Sequence, residues 1–294
     1  MKKVITHNGG FHADEVCAVA MLGIYLGMQA EDYTVVRTRD PEVIATGDYV
    51  IDVGHIYNEA ANRFDHHQQE GAGIRHNGIP YASCGLVWRH FGYEICNNNK
   101  ELWQEIEDRI CIPVDAHDNG ILIQTLTEGG LQPQYNLGEI ISTYKPILDS
   151  TDTDPYFMEA MEFVKGMIVR ILARAYVVER EHNRAREVLN NVEGNTAVFD
   201  EMYLWEGLET EYPDVHVVVY PKNNEWRAET VRKMEGTFSR WVRFPEEWGG
   251  LSGEELQAVS GIEGLKFCHR AGFLLVGHTK EAVLAGAEQV VPVN

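Results

Sequence analysis

Residues 4–16 read VITHNGGFHADEV. An apolar, β-branched run ends at His7, and an apolar helical pattern, DEVCAVAMLGIYLG, opens at Asp14. A strand therefore passes into a helix through a turn that carries His7, His12 and Asp14. The same alternation continues outward. KKVITH, YTVVRTR, DYVIDVG and NRFDHH read as strands separated by helical or turn-forming segments, the order expected of β/α units building a mostly parallel sheet with helices on both faces. In such sheets ligands collect beyond the carboxyl ends of the strands, where loops and helix N-termini converge. His7, Asp52 and the run Asp65-His66-His67 all fall at such ends.

Further along, apolar residues recur every three to four positions from about Pro155 to Asn191, which predicts one long helix or two. Beyond it VHVVVYP, EWRAETVR, LKFCHR and GFLLVGH read as strands, and TKEAVLAGAEQ as a helix. The expected organisation is an α/β metal-binding domain over residues 1–154, a helical linker over 155–192, and a smaller mixed α/β domain over 193–294.

With 294 residues, 44% of them hydrophobic, the chain can bury one large core or two smaller ones. Its formal charge of −20 repels phosphate backbones, which argues against a long electrostatic track for nucleic acid. The five cysteines (Cys17, Cys84, Cys96, Cys111 and Cys268) are odd in number, scattered and free of any C-x-x-C pair, so neither a disulfide framework nor a structural zinc site is expected. That usage fits a reducing, cytoplasmic setting. No leader pattern and no run of about 18 apolar residues is present, so no membrane association is expected.

Eight of the twelve histidines lie in the first 120 residues, several beside carboxylates. Four clusters stand out: His7-x4-His12-x-Asp14, Asp52 in VIDVG, Asp65-His66-His67, and Asp115-x-x-Asp118 in VDAHDNG. Imidazole with carboxylate suits Mn²⁺, Fe²⁺ or Zn²⁺, and a carboxylate can bridge two ions in a site for phosphoryl displacement. Each cluster also has a plainer explanation. His-x4-His in a loop is ordinarily solvated, the aspartate of VID can cap a turn, and Asp-Asn-Gly is favoured turn chemistry. The weight comes from four clusters at the open edge of one sheet, and from the difficulty of holding Asp65, His66 and His67 together without a counter-ion.

The ordered segments THNGGFHADEV, RTRD, VIDVG, FDHHQ, GLVWRHFG, VDAHDNGI and AGFLLVGHTKEAVLAGA resemble the MYG1 family, which is related to the DHH phosphoesterase superfamily. The resemblance runs from about residue 4 to about residue 288. It implies a DHH-like parallel-sheet domain holding two divalent ions, Mn²⁺ in the first place with Mg²⁺ or another first-row metal as alternatives, joined by a helical linker to a smaller domain that closes over substrate. MYG1 members are described as 3′-to-5′ RNA exonucleases, and DHH relatives include nucleases acting on single strands and a manganese-dependent pyrophosphatase. Carried over residue by residue, the resemblance implies metal ligation by His7, His12, Asp14, Asp52, His66 and Asp118, with Asp52 as the bridge. Asp65 would orient His66, and His67 would face a bridging water or a phosphate oxygen; Asp115 is the alternative to Asp118. The usual first motif is His-x3-Asp-x-Asp, so here one aspartate is replaced by His12 and one residue is inserted, which lowers the ligand charge at the first ion.

For the smaller domain, five basic residues between Trp226 and Arg243 stand against two acidic ones, Glu229 and Glu235. Arg240 and Arg243 are both candidates for the family's substrate arginine. Gly277-His278 before Thr279, an N-cap candidate, resembles the glycine-rich, histidine-containing segment of DHH relatives, so backbone N–H groups there are expected to meet a phosphate. His269 and Arg270 are expected to share that cleft. The leading functional expectation is thus a two-metal phosphodiesterase acting from the 3′ end on RNA or short oligonucleotides. The alternatives are hydrolysis of a small phosphate compound such as pyrophosphate or a cyclic dinucleotide, and a non-catalytic metal-binding scaffold. No G-x-S-x-G elbow supports a nucleophilic hydrolase. A homo-oligomer is compatible with any of these.

Overall fold

The computed structural model describes residues 1–121, 126–127, 130–131, 135–147, 152–234 and 237–293. Two compact units divide the chain, Met1–Ala175 and Tyr176–Asn294. Among the described residues no helix is long and apolar enough to cross a membrane.

In the first unit β1 (Lys2–Thr6), β2 (Tyr33–Arg37), β3 (Tyr49–Ile51), β4 (Tyr57–Asn58) and β5 (Arg63–Phe64) form one sheet in the order β2-β1-β3-β5-β4. β1 runs parallel to β2 and β3, and β3 to β5; β4 alone is antiparallel. Neighbouring residues of β1 serve opposite faces. Val4 joins the large core under α1 (Ala13–Met28) and α3 (Ser83–Ile95), while Ile5 joins a small cluster with Val50 and Val53. Among the described residues the second face is covered by Val43 and Ile44 of the four-residue helix α2 (Pro41–Ile44), so helices lie on both faces but unequally. Burial on both sides accounts for the unbroken apolar run at the start of the chain.

α1 is buried on nearly all sides, which explains why its sequence is apolar almost throughout. Gly23 is required there: a Cβ would collide with the Tyr33 hydroxyl packed against the helix. α4 (Lys100–Ile106) passes through a π-helical turn, Glu107–Cys111, into α5 (Ile112–Asp118). Pro113 has no N–H for the regular helical ladder and its ring crowds the preceding turn, so the ladder widens just before it. A short antiparallel pair, β6 (Leu126–Thr127) and β7 (Gly130–Leu131), precedes α6 (Leu137–Ser142).

α7 (Asp154–Leu189) is one helix of 36 residues, and the division between the units falls within it. Phe157, Ala160, Met161, Val164, Ile168 and Leu172, which fall on one face of the helix, enter the core of the first unit. Ala185 and Leu189 enter a cluster of the second.

The second unit contains β8 (Thr196–Val198), β9 (Val217–Lys222), β10 (Glu225–Thr230), β11 (Val242–Arg243), α8 (Gly253–Ser260), β12 (Leu265–Cys268), β13 (Leu274–Gly277), α9 (Lys280–Ala287) and β14 (Val291–Pro292). Its main sheet has the order β12-β13-β10-β9-β8 and is antiparallel except where β8 meets β9. β9 and β10 are joined by Asn223-Asn224, with φ of 54° and 61°, the left-handed pair that a two-residue hairpin of the twist-compatible kind requires. Val217 and Val219 face one cluster while Val218 and Tyr220 face the other, so this strand too is covered on both sides. β11 pairs separately with β14.

Candidate metal centre

Because β1, β3 and β5 are parallel, their carboxyl ends open on the same edge, and the residues that follow each strand meet there. His7 follows β1, Asp52 follows β3, and Asp65-His66-His67 follow β5. α1 contributes Asp14 and Glu15 from its first turn and His12 from the N-cap position before it, and α5 contributes Asp118 from its last turn.

Asp52 lies in the middle. One carboxylate oxygen is 3.4 Å from His7 Nε2, and the other is 3.5 Å from His66 Nε2 and 3.4 Å from His67 Nδ1. Ser83 Oγ also donates to it at 3.2 Å. Its backbone is left-handed, φ 55°, a conformation that aspartate tolerates better than most residues, and its N–H donates to Phe64 O across the sheet. His66 Nε2 faces Asp118 at 3.1 Å and Asp14 at 3.9 Å as well. None of these approaches has hydrogen-bond geometry, so a buried nitrogen faces three carboxylates without a partner. Three donor sets, each within 4.8 Å, result: His7 with His12 and Glu15; Asp52 with His66 and His67; Asp14 with His66 and Asp118.

The electrostatics agree with a place for cations. Burial pushes the Asp14 carboxyl well above its usual range, and neighbouring Asp52 and Asp118 push it further. Burial also acts upward on Asp52, but His66 and His7 outweigh it and hold that carboxyl well below the ordinary value. Against their own burial, His7 is raised to about 10 by Asp52 and Glu15, and His66 to about 10 by Asp118 and Asp52. The two imidazoles stand in for cations in this arrangement. A nitrogen and oxygen donor set of this kind, with an orphaned imidazole nitrogen at its centre, fits divalent ions of the Mn²⁺ and Mg²⁺ type.

All six expected ligands thus converge in the first unit, with Asp118 next to His66. Asp115, the alternative, is turned away: its carboxylate lies 2.7 Å from Arg75 and accepts from Gly85 N. One expectation is corrected. Asp65 does not orient His66; it holds His67, at 2.7 Å from Nδ1, and accepts the backbone N–H groups of His55 and His67. His66 lies instead between Asp52 and Asp118.

Glu15 is the residue the sequence reading missed. It accepts the His12 backbone N–H at 2.9 Å, a capping contact that begins α1, and approaches His7 Nε2 at 3.0 Å. The available signal was a second buried acid beside Asp14 at the third position after His12. Asp14 in turn accepts the N–H groups of Ser83 and Cys84 at 3.0 and 2.6 Å, so the N-terminus of α3 fixes it. A cavity of about 500 Å³ opens over this floor; it is lined by His7, His12, Asp52, Asp65, His67 and Asp118, and also by Arg39, His55 and His117.

The expected substrate residues His269, Arg270, Gly277, His278, Arg240 and Arg243 belong to the second unit. Two of them gather: the His269 ring lies 4.2 Å from that of Phe273, and the Arg240 guanidinium stacks on the same ring at 4.6 Å. Arg243 is exposed, 3.5 Å from Glu246, and Arg270 follows β12. The His278 N–H donates to Gly264 O at 2.9 Å, and Thr279 Oγ1 accepts from Ala282 N at 3.2 Å as the N-cap of α9. Gly277 has a packing reason to be glycine, because a Cβ would approach Val283 to 2.9 Å. Glu235, one of the acids in the basic stretch, lies outside the described residues.

The profile MYG1_exonuc, described as an uncharacterised protein family (UPF0160), matches residues 3–291. The MYG1 exonuclease of Rattus norvegicus is 32% identical over 320 residues, covering 96% of this chain and 82% of the rat protein. That of Homo sapiens is 32% identical, covering 97% and 84%, and the MYG1 protein of Chlamydia trachomatis is 30% identical, covering 96% and 93%. Among solved structures, RecJ from Thermus thermophilus in complex with Mn²⁺ aligns with 98% of this chain at 12% identity and a TM-score of 0.25; the chain spans about half the length of that RecJ chain. By the extent of the profile match and the full-length similarity to these relatives, the chain belongs to the MYG1 family.

Proposed function

We propose that this protein is a metal-dependent phosphoesterase, and more specifically a two-metal exonuclease that trims RNA or short oligonucleotides from the 3′ end. The observation that carries the reading is the position of Asp52 between His7 on one side and His66 and His67 on the other, with a further donor set beyond each. His7, His12, Glu15 and Asp52 would hold one ion, and Asp14, Asp52, His66 and Asp118 the second. When bound, such ions supply Lewis acidity towards phosphoryl oxygens and acidify water in the site.

The chain's own residues do the positioning. Ser83 and the imidazoles fix Asp52, the first turn of α3 fixes Asp14, and Asp65 holds His67, whose side chain is 50% exposed and so reachable by a phosphate oxygen. No side-chain nucleophile is required, and Cys17 and Cys84 are buried. In the second unit, His269 and Arg240 around Phe273, with Arg270, Arg243, Gly277 and the His278 side chain, are assigned to substrate phosphates. The relatives named exonucleases support a nucleic-acid substrate.

The test is hydrolysis of a short 5′-labelled RNA by chelator-stripped protein, with Mn²⁺, Mg²⁺ or no metal restored. A ladder shortening from the 3′ end only with metal is the expected result; no cleavage with any ion would overturn it. The net charge of −20 favours a second reading, a small phosphate compound such as pyrophosphate or a cyclic dinucleotide, which the same assay distinguishes by exchanging the substrate.

A further inference from the structure

The segment RTRD holds two arginines with different fates. Arg37 is buried and fully engaged: it donates to His7 O, Gly9 O, Thr153 Oγ1 and Asp154 Oδ1, and so ties down the turn that carries His7. Arg39 is exposed, lines the cavity over the donor sets, and makes no ion pair or side-chain hydrogen bond among the described residues. Among the described residues no other lysine or arginine lines that cavity.

The backbone on either side of Arg39 is pinned. Thr38 N donates to Thr6 O at 2.8 Å, and Asp40 N to Thr38 Oγ1 at 3.0 Å. The Asp40 carboxylate accepts from Glu42 N as the N-cap of α2, which commits the nearest acid to the helix rather than to Arg39. A chain with 45 acidic and 25 basic residues therefore keeps a guanidinium unpaired, on a fixed turn, in a cavity that also holds Asp52, Asp65 and Asp118. His55 and His117 line the same cavity, and among the described residues neither imidazole ring pairs with a carboxylate; the His55 contact to Asp65 is made by its backbone N–H. Guanidinium and imidazole N–H donors that line one cavity from three segments suit a phosphate, and arginine offers the paired donors that phosphate oxygens match.

We propose that Arg39, with His55 and His117, forms an anion subsite that receives a phosphate monoester, namely the nucleoside 5′-monophosphate left by 3′-end trimming. Its identification as a product site rests on the exonuclease reading. Hydrolysis of a diester raises the charge on the phosphoryl group towards two at neutral pH, and a fixed cation beside the metal ligands favours that more highly charged form. The subsite then retains product, and free nucleoside monophosphate competes with RNA.

The experiment measures binding of adenosine 5′-monophosphate by calorimetry to the Mn²⁺-loaded protein, alongside its inhibition of RNA trimming. Wild type, Arg39→Gln, Arg39→Lys and Arg109→Gln are compared, the last removing an exposed charge of the first unit that does not line the cavity. The expected result is weakening by about tenfold in Arg39→Gln, partial retention in Arg39→Lys and no change in Arg109→Gln. Adenosine, which lacks the phosphate, should not distinguish the proteins. Absence of nucleotide binding by wild type, or equal binding by Arg39→Gln, would overturn the subsite. Loss of RNA trimming in a wild-type protein that still binds the monophosphate through Arg39 would instead count against the exonuclease reading.

Discussion

At the scale of single residues, Asp52 is the most consequential side chain, since it faces His7 on one side and His66 and His67 on the other. Asp52→Asn preserves the shape and the left-handed backbone while removing the charge. The expected outcome is loss of at least about 10³-fold in metal-dependent hydrolysis, the scale at which a removed electrostatic stabiliser acts, with an unchanged circular dichroism spectrum. Retained activity with full metal occupancy would defeat the model. Glu15→Gln keeps the capping contact and removes the carboxylate beside His7; metal affinity should fall by about 10–100-fold, measured by competition with a chelating dye. The clustering of candidate donors was legible because His7, Asp52 and His66 follow apolar strands, where a cluster of polar residues is conspicuous. Glu15 was not, because an acid in the first turn of a helix is ordinary capping chemistry. Asp65 was misassigned because adjacency in sequence does not say which neighbour a carboxylate faces; His67, two residues on, curls back over it.

At the scale of elements, the floor of the site depends on a charged network between α3 and α5. Arg75 lies 2.6 Å from Glu107 and 2.7 Å from Asp115, and all three are buried. Gly85 lets α3 pass over this network, and a Cβ there would run into Asp115 and Arg75. Gly85→Ala should cost about 1–3 kcal/mol, read from the shift in urea midpoint. Arg75→Met strands two acids that burial already pushes above their usual range, Asp115 strongly. Its cost is expected near 3–5 kcal/mol at neutral pH. The pH dependence has a definite sign. A buried acid with a raised folded-state value loses its stabilising protonated form as pH rises, so the variant should lose stability relative to wild type as pH climbs from about 4 towards neutrality. A flat difference across that window would refute the account. The strands of the parallel sheet and the long α7 announced themselves through periodicity. The π-turn before Pro113 and the three-residue β8 did not: the first depends on how a ladder accommodates a missing N–H, and the second is too short for alternation to register.

For the whole molecule, the charge of −20 sets how substrates approach. A long RNA must cross a repulsive field that a fragment of a few nucleotides largely avoids. The ratio of kcat/KM for a short over a long RNA should therefore be greatest at low ionic strength and shrink as salt rises past about 0.1 M, where the screening length falls to roughly 10 Å. A ratio independent of salt would show that the acidic surface lies away from the path of the chain. The apolar spacing of α7 marks a continuous helix, and because one regular pattern feeds two separate cores it carries no mark of where the division at Ala175 and Tyr176 falls.

The left-handed backbone at position 52 also restricts how this lineage can lose its chemistry without losing its fold. Most replacements there incur backbone strain and are expected to be removed by selection for stability before catalysis is judged. Asparagine and glycine are the exceptions, since both occupy that conformation readily. A descendant that abandoned hydrolysis while remaining folded, kept for binding alone, should therefore carry Asn or Gly at this position. The residue found there is a compact indicator for sorting active members from retired ones.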